Sequence, residues 1–523
     1  MTDWPDAITL STAWRRSVDR APASVFLRFE PPNGEITEWT YSEFDDVVVR
    51  CAADLRSFGV GQGSAVHLAL TNSPAFVALW LATVGLGGWI VPSDPMGTTP
   101  ELAGHIARTA PVVGFCATTR RAVYGPAAAV LAGGLRVVEV DESDATLQLF
   151  GDDRIDAWPE LPLRQRAAVM FTSGTTGLPK GVEITQANYA FAGATMAAAA
   201  GLEAHHRQLV VLPLFHANAQ FYSFASAIWA GASVALVHTF SASRFLTQAA
   251  AHGATHASLF AAPIRMILLR AAPPAAPVGL QHCWYAMNIT ASQHATLTSW
   301  LGCRPRQLYG MTETLPAVLT EPSVDPVPSS MGYPTDGCQV GIQRGEIVVG
   351  GERGIRLFAG YLDDPATTAA AFRSGWFLTG DRARRAADGR FLFDGRRSDV
   401  LKVAGENVST VEVEQVLAAF PGVLEVAVVG QPDEIRDEVP VAFVVPDDAA
   451  NPPSVDALHE WCLQRLTKAK RPRDITLVEQ LPRTSVGKIR KFLLRDPNAA
   501  EHRSPSRDSG SPAHAPLREE ASP

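Results

Sequence analysis

Cysteine is scarce in this chain. Six occur in 523 residues (Cys51, Cys116, Cys283, Cys303, Cys338 and Cys462), and no two form a Cys-x-x-Cys pair. That spacing argues against a zinc site or a disulfide framework and fits a reduced cytoplasm. A surplus of basic charge is also missing. Forty-five Lys and Arg stand against 53 Asp and Glu, a net charge of −8. A nucleic-acid partner would want the opposite field, so none is expected. The first residues, Met1-Thr-Asp-Trp-Pro-Asp6, carry two acids and no apolar stretch, unlike a secretory signal. No apolar run is long enough for a membrane span. The longest, Ala75 to Val91, is interrupted by Thr83, Gly85, Gly87 and Gly88 and stops at Pro92. It reads as a buried helix running into a strand.

What the chain does have is apolar material to bury: 46% hydrophobic against 19% charged residues. The length exceeds one ordinary core and predicts a large domain plus a small one. Tyr41 to Phe58 has helical periodicity behind a capping Thr40, and Ser64 to Leu70 alternates as a strand. Gln208 to Leu212 and Ser233 to Val237 are strand-like around a helical Ala219 to Trp229, and 272–277 is a loop. Alternating strand and helix predict an α/β fold with mostly parallel sheets flanked by helices, over residues 1–394. Beyond the polar Gly395-Arg-Arg-Ser-Asp399 come a helix (Val411 to Ala419), strands (Leu424 to Gly430, Val439 to Val445), a helix (Val455 to Leu466) and a strand (Ile475 to Val478). Residues 395–497 therefore read as a small α+β domain, and 498–523, almost free of large apolar residues, as a disordered tail.

The strongest local signal is Ala168-Val-Met-Phe-Thr-Ser-Gly-Thr-Thr-Gly-Leu-Pro-Lys-Gly-Val182. An apolar strand feeds a loop of Thr172, Ser173, Gly174, Thr175, Thr176, Gly177 and Lys180. Small residues let backbone N–H groups, hydroxyls and one ammonium close on an anion, which suits a polyphosphate. A Walker loop needs Gly-Lys-Ser/Thr, and Lys180 instead follows Leu-Pro.

Four further segments follow in order: Gln307-Leu-Tyr-Gly-Met-Thr-Glu-Thr314, Gly375-Trp-Phe-Leu-Thr-Gly-Asp381, Gly395-Arg-Arg-Ser-Asp-Val-Leu-Lys402 with Gly405-Glu-Asn-Val-Ser-Thr-Val-Glu-Val-Glu414, and Pro482-Arg-Thr-Ser-Val-Gly-Lys488. Together with the loop they resemble the AMP-forming adenylating superfamily of acyl-CoA synthetases, peptide-synthetase adenylation domains and luciferases, over roughly residues 10–495. The resemblance implies ATP and Mg²⁺ as cofactors and an acyl-adenylate intermediate. It implies that the 172–180 loop holds the phosphates, Tyr309 stacks on adenine, Gly310 and Met311 line the nucleotide, and Thr312 meets the α-phosphate. Glu313, with Thr176, would hold Mg²⁺. Asp381 would accept the ribose hydroxyls, and Arg396 would contact ribose or phosphate. Lys488, on a rotating small domain, would bridge the carboxylate and the α-phosphate.

Leu212-Pro-Leu-Phe-His-Ala-Asn-Ala-Gln220 resembles the segment beside the acyl pocket, where His216 would orient the acid and Asn218 and Gln220 bring polar contacts. The adenine wall departs from the usual Gly-Gly-Ala-Pro pattern. Here Ala286, Met287 and Asn288 stand in Trp284-Tyr-Ala-Met-Asn-Ile-Thr290, a departure that, with Ile435-Arg-Asp-Glu438, is most like crotonobetaine/carnitine–CoA ligase-type enzymes and favours a compact acid. Lys402 and Gly405 would line the nucleotide and the coenzyme A arm, while Ser398 stands where the family often has Asp or Lys at its hinge. The leading expectation is an AMP-forming acid–CoA ligase. Two alternatives share the fold: a diazotase that uses ATP to activate nitrite and diazotise an aromatic amine, and a nucleotide-binding regulator that has lost catalysis.

Overall fold

The computed structural model describes residues 8–32, 35–172, 179–396, 400–403, 406–433, 436–483 and 489–495. The expected tail at 498–523 lies outside these residues, as do Ser398, Gly405 and Lys488.

The apolar run at 75–91 explains how the large domain is built. Ser73 caps the helix Pro74–Gly85, accepting from the Phe76 amide at 3.3 Å, and every residue of that helix is buried. It leads into the strand Trp89–Pro92, also buried throughout. A helix apolar all round belongs inside a large core, and no described helix is long and apolar enough to cross a membrane. The strand Ala65–Ala69 shows no alternation of burial, contrary to the sequence reading: Val66 and Leu68 pack into one core and Ala65 and Ala69 into others, so neither face of this parallel sheet meets water.

Two sheets dominate the large domain. One has seven strands, ordered Gly360–Tyr361, Lys180–Thr185, Arg166–Thr172, Trp89–Pro92, Ala65–Ala69, Val113–Ala117 and Arg136–Val140. The other has nine, with Arg306–Tyr309, His282–Ala286, His256–Phe260, Arg207–Val210, Ser233–Val237 and Val25–Glu30 parallel at its centre. The helices Tyr41–Ser57, Pro74–Gly85 and Gln186–Ala200 join them through one continuous core. A smaller antiparallel sheet carries Gln339–Gln343, Glu346–Gly350, Trp376–Arg385 and Phe391–Arg396.

The C-terminal part has its own five-stranded sheet and core: Val400–Val403, Glu406–Ser409, Val423–Asp433, Asp437–Pro446 and Asp474–Leu477, covered by the helices Thr410–Ala418 and Val455–Arg465. The fold is thus a large α/β domain with a smaller α+β domain. The strand Phe391–Arg396 stays paired with Trp376–Arg385 to its last residue, and the next described residue, Val400, opens the C-terminal sheet. All six cysteines are unpaired.

The expected helix at Ala219–Trp229 departs from α geometry. Residues Asn218–Ala225 form a π-helix, followed by an α-helix at Ser226–Ala230. The carbonyl of Tyr222 is taken by side chains, accepting from Ser226 Oγ at 2.6 Å and Gln208 Nε2 at 3.4 Å, which competes with the regular ladder.

Candidate active site

Three residues far apart in sequence meet at one carboxylate. Tyr309 ends the strand Arg306–Tyr309, and its hydroxyl donates to Asp381 Oδ2 at 2.7 Å. Arg396 lies opposite Asp381 across the paired strands and donates from Nε to Oδ1 at 2.9 Å. Asp381 is only 4% exposed. Its approach is fixed by the turn before it. Thr379 Oγ1 donates to the Ile347 carbonyl at 2.8 Å and accepts from the Asp381 amide at 3.1 Å, and Gly380 adopts φ 74. Burial and the adjacent carboxylate raise the Tyr309 hydroxyl pKa well above the ordinary tyrosine range, so it stays protonated as a donor.

Beyond Tyr309 the chain turns sharply. A Cβ at Gly310 would meet the Tyr222 hydroxyl at 2.8 Å and the Pro316 carbonyl at 3.0 Å, so only glycine lets the backbone pass. The Met311 amide donates to Thr314 Oγ1 at 3.1 Å, closing a 3₁₀ turn over Thr312, Glu313 and Thr314. Glu313 is buried at 5% exposure, and Tyr361 donates to its Oε1 at 3.1 Å. Burial raises the Glu313 carboxyl pKa, opposed by Tyr361, Lys180 and Arg396. Lys180 Nζ lies 4.9 Å from the centre of the Tyr361 ring. Tyr361 was not singled out in the sequence, because the Gly-Tyr pair gives no local signal of a partner 48 residues away.

Thr172 and Lys180 face each other at the end of an antiparallel pair, Arg166–Thr172 with Lys180–Thr185. In sequence, the expected loop joins these two strands; Ser173, Gly174, Thr175, Thr176 and Gly177 lie outside the described residues. Among the described residues no group of three or more His, Cys, Asp or Glu is placed to hold a metal. Glu313, one buried carboxylate facing this loop's lysine, fits a hard cation that takes its remaining ligands from phosphate oxygens and water.

A third cluster follows the strand Arg207–Val210. The Asn72 amide holds the turn there, donating to the carbonyls of Leu212 and Val237 at 3.1 and 3.0 Å and accepting from the Leu214 amide at 2.8 Å. His216 Nε2 is buried without a partner, and burial lowers its pKa to about 3, so the ring is neutral. Gln220 is tied into the core by Tyr189 Oη at 2.5 Å and the Leu214 carbonyl at 2.6 Å.

Ala286 pairs with Leu308, which places 286–288 beside Tyr309. Met287 takes φ 71, strained for a side chain, and is 48% exposed. The Asn288 and Gln307 side-chain amides lie 2.9 Å apart, and the Asn288 carbonyl accepts from Arg265 at 3.0 Å. Arg265 also reaches the C-terminal sheet, donating to Glu425 Oε1 at 2.5 Å, while Arg483 pairs with the other Glu425 oxygen. Lys402 sits exposed on that C-terminal sheet, its amide donating to Glu438 at 2.9 Å. Tyr309, Asp381, Arg396, Glu313 and Lys180 thus form one group around the 309–314 turn; Asn218 opens the neighbouring π-helix and His216 stands two residues before it.

A sequence profile described as AMP-binding enzyme matches residues 14–362, and one described as AMP-binding enzyme C-terminal domain matches 412–488. Similar proteins include a crotonobetaine/carnitine–CoA ligase from Salmonella arizonae, 30% identical over 90% of this chain and 95% of that protein. Among solved structures, o-succinylbenzoate CoA synthetase from Bacillus subtilis, in complex with its acyl-adenylate intermediate, superposes with a TM-score of 0.80 at 25% identity, covering 92% of this chain and 98% of that one. A benzoate CoA ligase from Burkholderia xenovorans LB400 shares the fold, with a TM-score of 0.84 at 21% identity over 94% of this chain and 100% of that one.

Proposed function

This chain belongs to the AMP-binding enzyme family, among the AMP-forming acyl-CoA ligases, and from that premise we propose that it adenylates a compact carboxylic acid and transfers the acyl group to coenzyme A. The observation that carries the reading is the convergence on Asp381 of Tyr309 and Arg396, beside the buried Glu313 and Lys180. A carboxylate accepts from two vicinal hydroxyls, as a ribose offers. An aromatic ring beside it gives adenine a stacking face.

In this reading the acid's carboxylate attacks the α-phosphorus of ATP and pyrophosphate leaves. Lys180 and the 172–177 loop hold the phosphates. Thr312 meets the α-phosphate, with Gly310 and Met311 along the nucleotide and Ala286 to Asn288 beside the adenine. Neutral His216 orients the acid. Glu313, with Thr176, would hold Mg²⁺, which when bound neutralises charge on phosphate oxygens. Lys488 bridges carboxylate and phosphate, then withdraws as the domain beginning near residue 395 rotates and brings Lys402 and Gly405 to the coenzyme A arm. Positioned cations and hydrogen bonds of this kind lower the barrier by stabilising charge that develops in the transition state.

The test is AMP and pyrophosphate release across a panel of acids, with and without coenzyme A. Acid-dependent pyrophosphate exchange and coenzyme-A-dependent AMP release are expected. AMP release that requires nitrite and an aromatic amine and ignores coenzyme A would replace the ligase with a diazotase. No exchange with any acid would point to a nucleotide-binding regulator.

A further inference from the structure

Asn218 is 4% exposed, and both atoms of its side-chain amide are buried without a hydrogen-bond partner. Withdrawing an amide from water for nothing opposes folding, and buried amides are nearly always satisfied. A leucine, branched in the same way though larger, would bury no unsatisfied polar atom there. What the amide faces follows from its helix. Asn218 opens the π-helix Asn218–Ala225, and Tyr222 lies about one turn further on. Tyr222 brings its hydroxyl up to Gly310, so this side of the helix looks toward the turn that follows Tyr309. Both amide atoms of Gln220, by contrast, have partners, Tyr189 and the Leu214 carbonyl. His216, two residues earlier, carries the other unpartnered polar atom of the segment, Nε2. π-Helical turns concentrate at functional sites, where they redirect side chains toward ligands.

We propose that Asn218 sets the specificity of the acid pocket, and that the acid carries an uncharged substituent able both to donate and to accept a hydrogen bond, a hydroxyl or a carboxamide, which closes on the Asn218 amide. This rests on the adenylation reading above and names its substrate class. Both amide atoms lack a partner, so the substituent must offer both functions. The polar groups on this side of the helix, His216, Asn218 and Tyr222, are neutral: burial keeps the His216 ring unprotonated and the Tyr222 hydroxyl protonated. An ammonium or second carboxylate would enter without a counter-charge. A quaternary ammonium, which neither donates nor accepts, would leave the amide as it is.

The experiment compares acid pairs of one skeleton, with and without the hydroxyl or carboxamide, by pyrophosphate exchange. Wild type is expected to prefer the substituted acid by roughly ten- to a hundredfold in kcat/KM. In Asn218→Leu that preference should disappear or reverse, and Asn218→Asp should shift it toward an amino-bearing acid. Wild type turning over the unsubstituted acids as well as their partners would overturn the proposal while leaving adenylation intact. So would a preference that survives in Asn218→Leu. No exchange with any acid would sink the adenylation reading and the proposal with it.

Discussion

Burial and neighbours pull the Glu313 carboxyl in opposite directions. Burial favours its neutral form, and Tyr361, Lys180 and Arg396 oppose that. Glu313→Gln keeps the shape and removes the charge a cation would meet. ATP-dependent turnover should fall about a hundredfold or more, because one charged ligand is lost from a phosphate site. A steady-state titration of Mg²⁺ and ATP checks this, and a change under about threefold would hand the metal to another carboxylate. Histidines give a pH prediction at the same scale. Burial lowers His67 and His216 to about 3 and His105 and His256 to about 4, against an ordinary 6.5. Between about 4 and 6.5 the unfolded chain binds more protons than the folded one, so stability falls as pH drops through that window. Each group contributes up to about 1.4 kcal/mol per pH unit. The carboxyls of Glu142, Glu183 and Glu313, raised by burial, act in the opposite sense at the acid end. Thermal midpoints recorded from pH 7 to 5 should decline; a flat profile would mean that these rings protonate in place.

Among the elements, the helix Gln186–Ala200 lies unusually close to the π-helix. A Cβ at Gly193 would stand 2.5 Å from the Ala225 carbonyl oxygen, a backbone atom that cannot swing aside. Gly193→Ala should therefore cost about 1–3 kcal/mol by overpacking, although alanine is the better helix former. Gly104, inside the helix Thr99–Thr109, has no atom within 4 Å of its would-be Cβ. Gly104→Ala should stabilise by roughly 0.5–1 kcal/mol. Chemical denaturation of the two variants reads both signs in one experiment. The same contrast marks what the sequence revealed. Local elements were legible where local chemistry decides them. Thr40 and Glu43 close a reciprocal cap on Tyr41–Ser57, and the apolar run at 75–91 is the buried helix and strand it promised. Tyr309, Glu313, Asp381 and Arg396 were legible only through ordered motifs, since nothing local says that residues 309 and 381 touch. The π-helix and the Tyr361–Glu313 bond escaped, because each depends on partners that only the assembled sheets supply: Gln208 for the Tyr222 carbonyl and Glu313 for Tyr361.

For the whole molecule the question is how the C-terminal sheet is held against the large domain. Lys488 belongs to that part of the chain, so Lys488→Ala should abolish adenylate formation and largely spare thioester formation from a supplied acyl-adenylate. Single-turnover assays of the two half-reactions separate the outcomes, and adenylation at near wild-type rate would remove Lys488 from the chemistry. Arg265→Ala cuts the link from Asn288 to Glu425. The distance distribution between dyes placed on the two domains should broaden, whereas an unchanged distribution would mean that other contacts fix the arrangement. Glu425 itself is gripped from both sides, by Arg265 of the large domain and by Arg483 of its own. If the domains part, Arg265 stays behind while Arg483 travels with the carboxylate. The departing charge then never faces solvent or protein bare, because it leaves with a counterion built into the same body. Separation would then break one ion pair without leaving an orphaned anion behind.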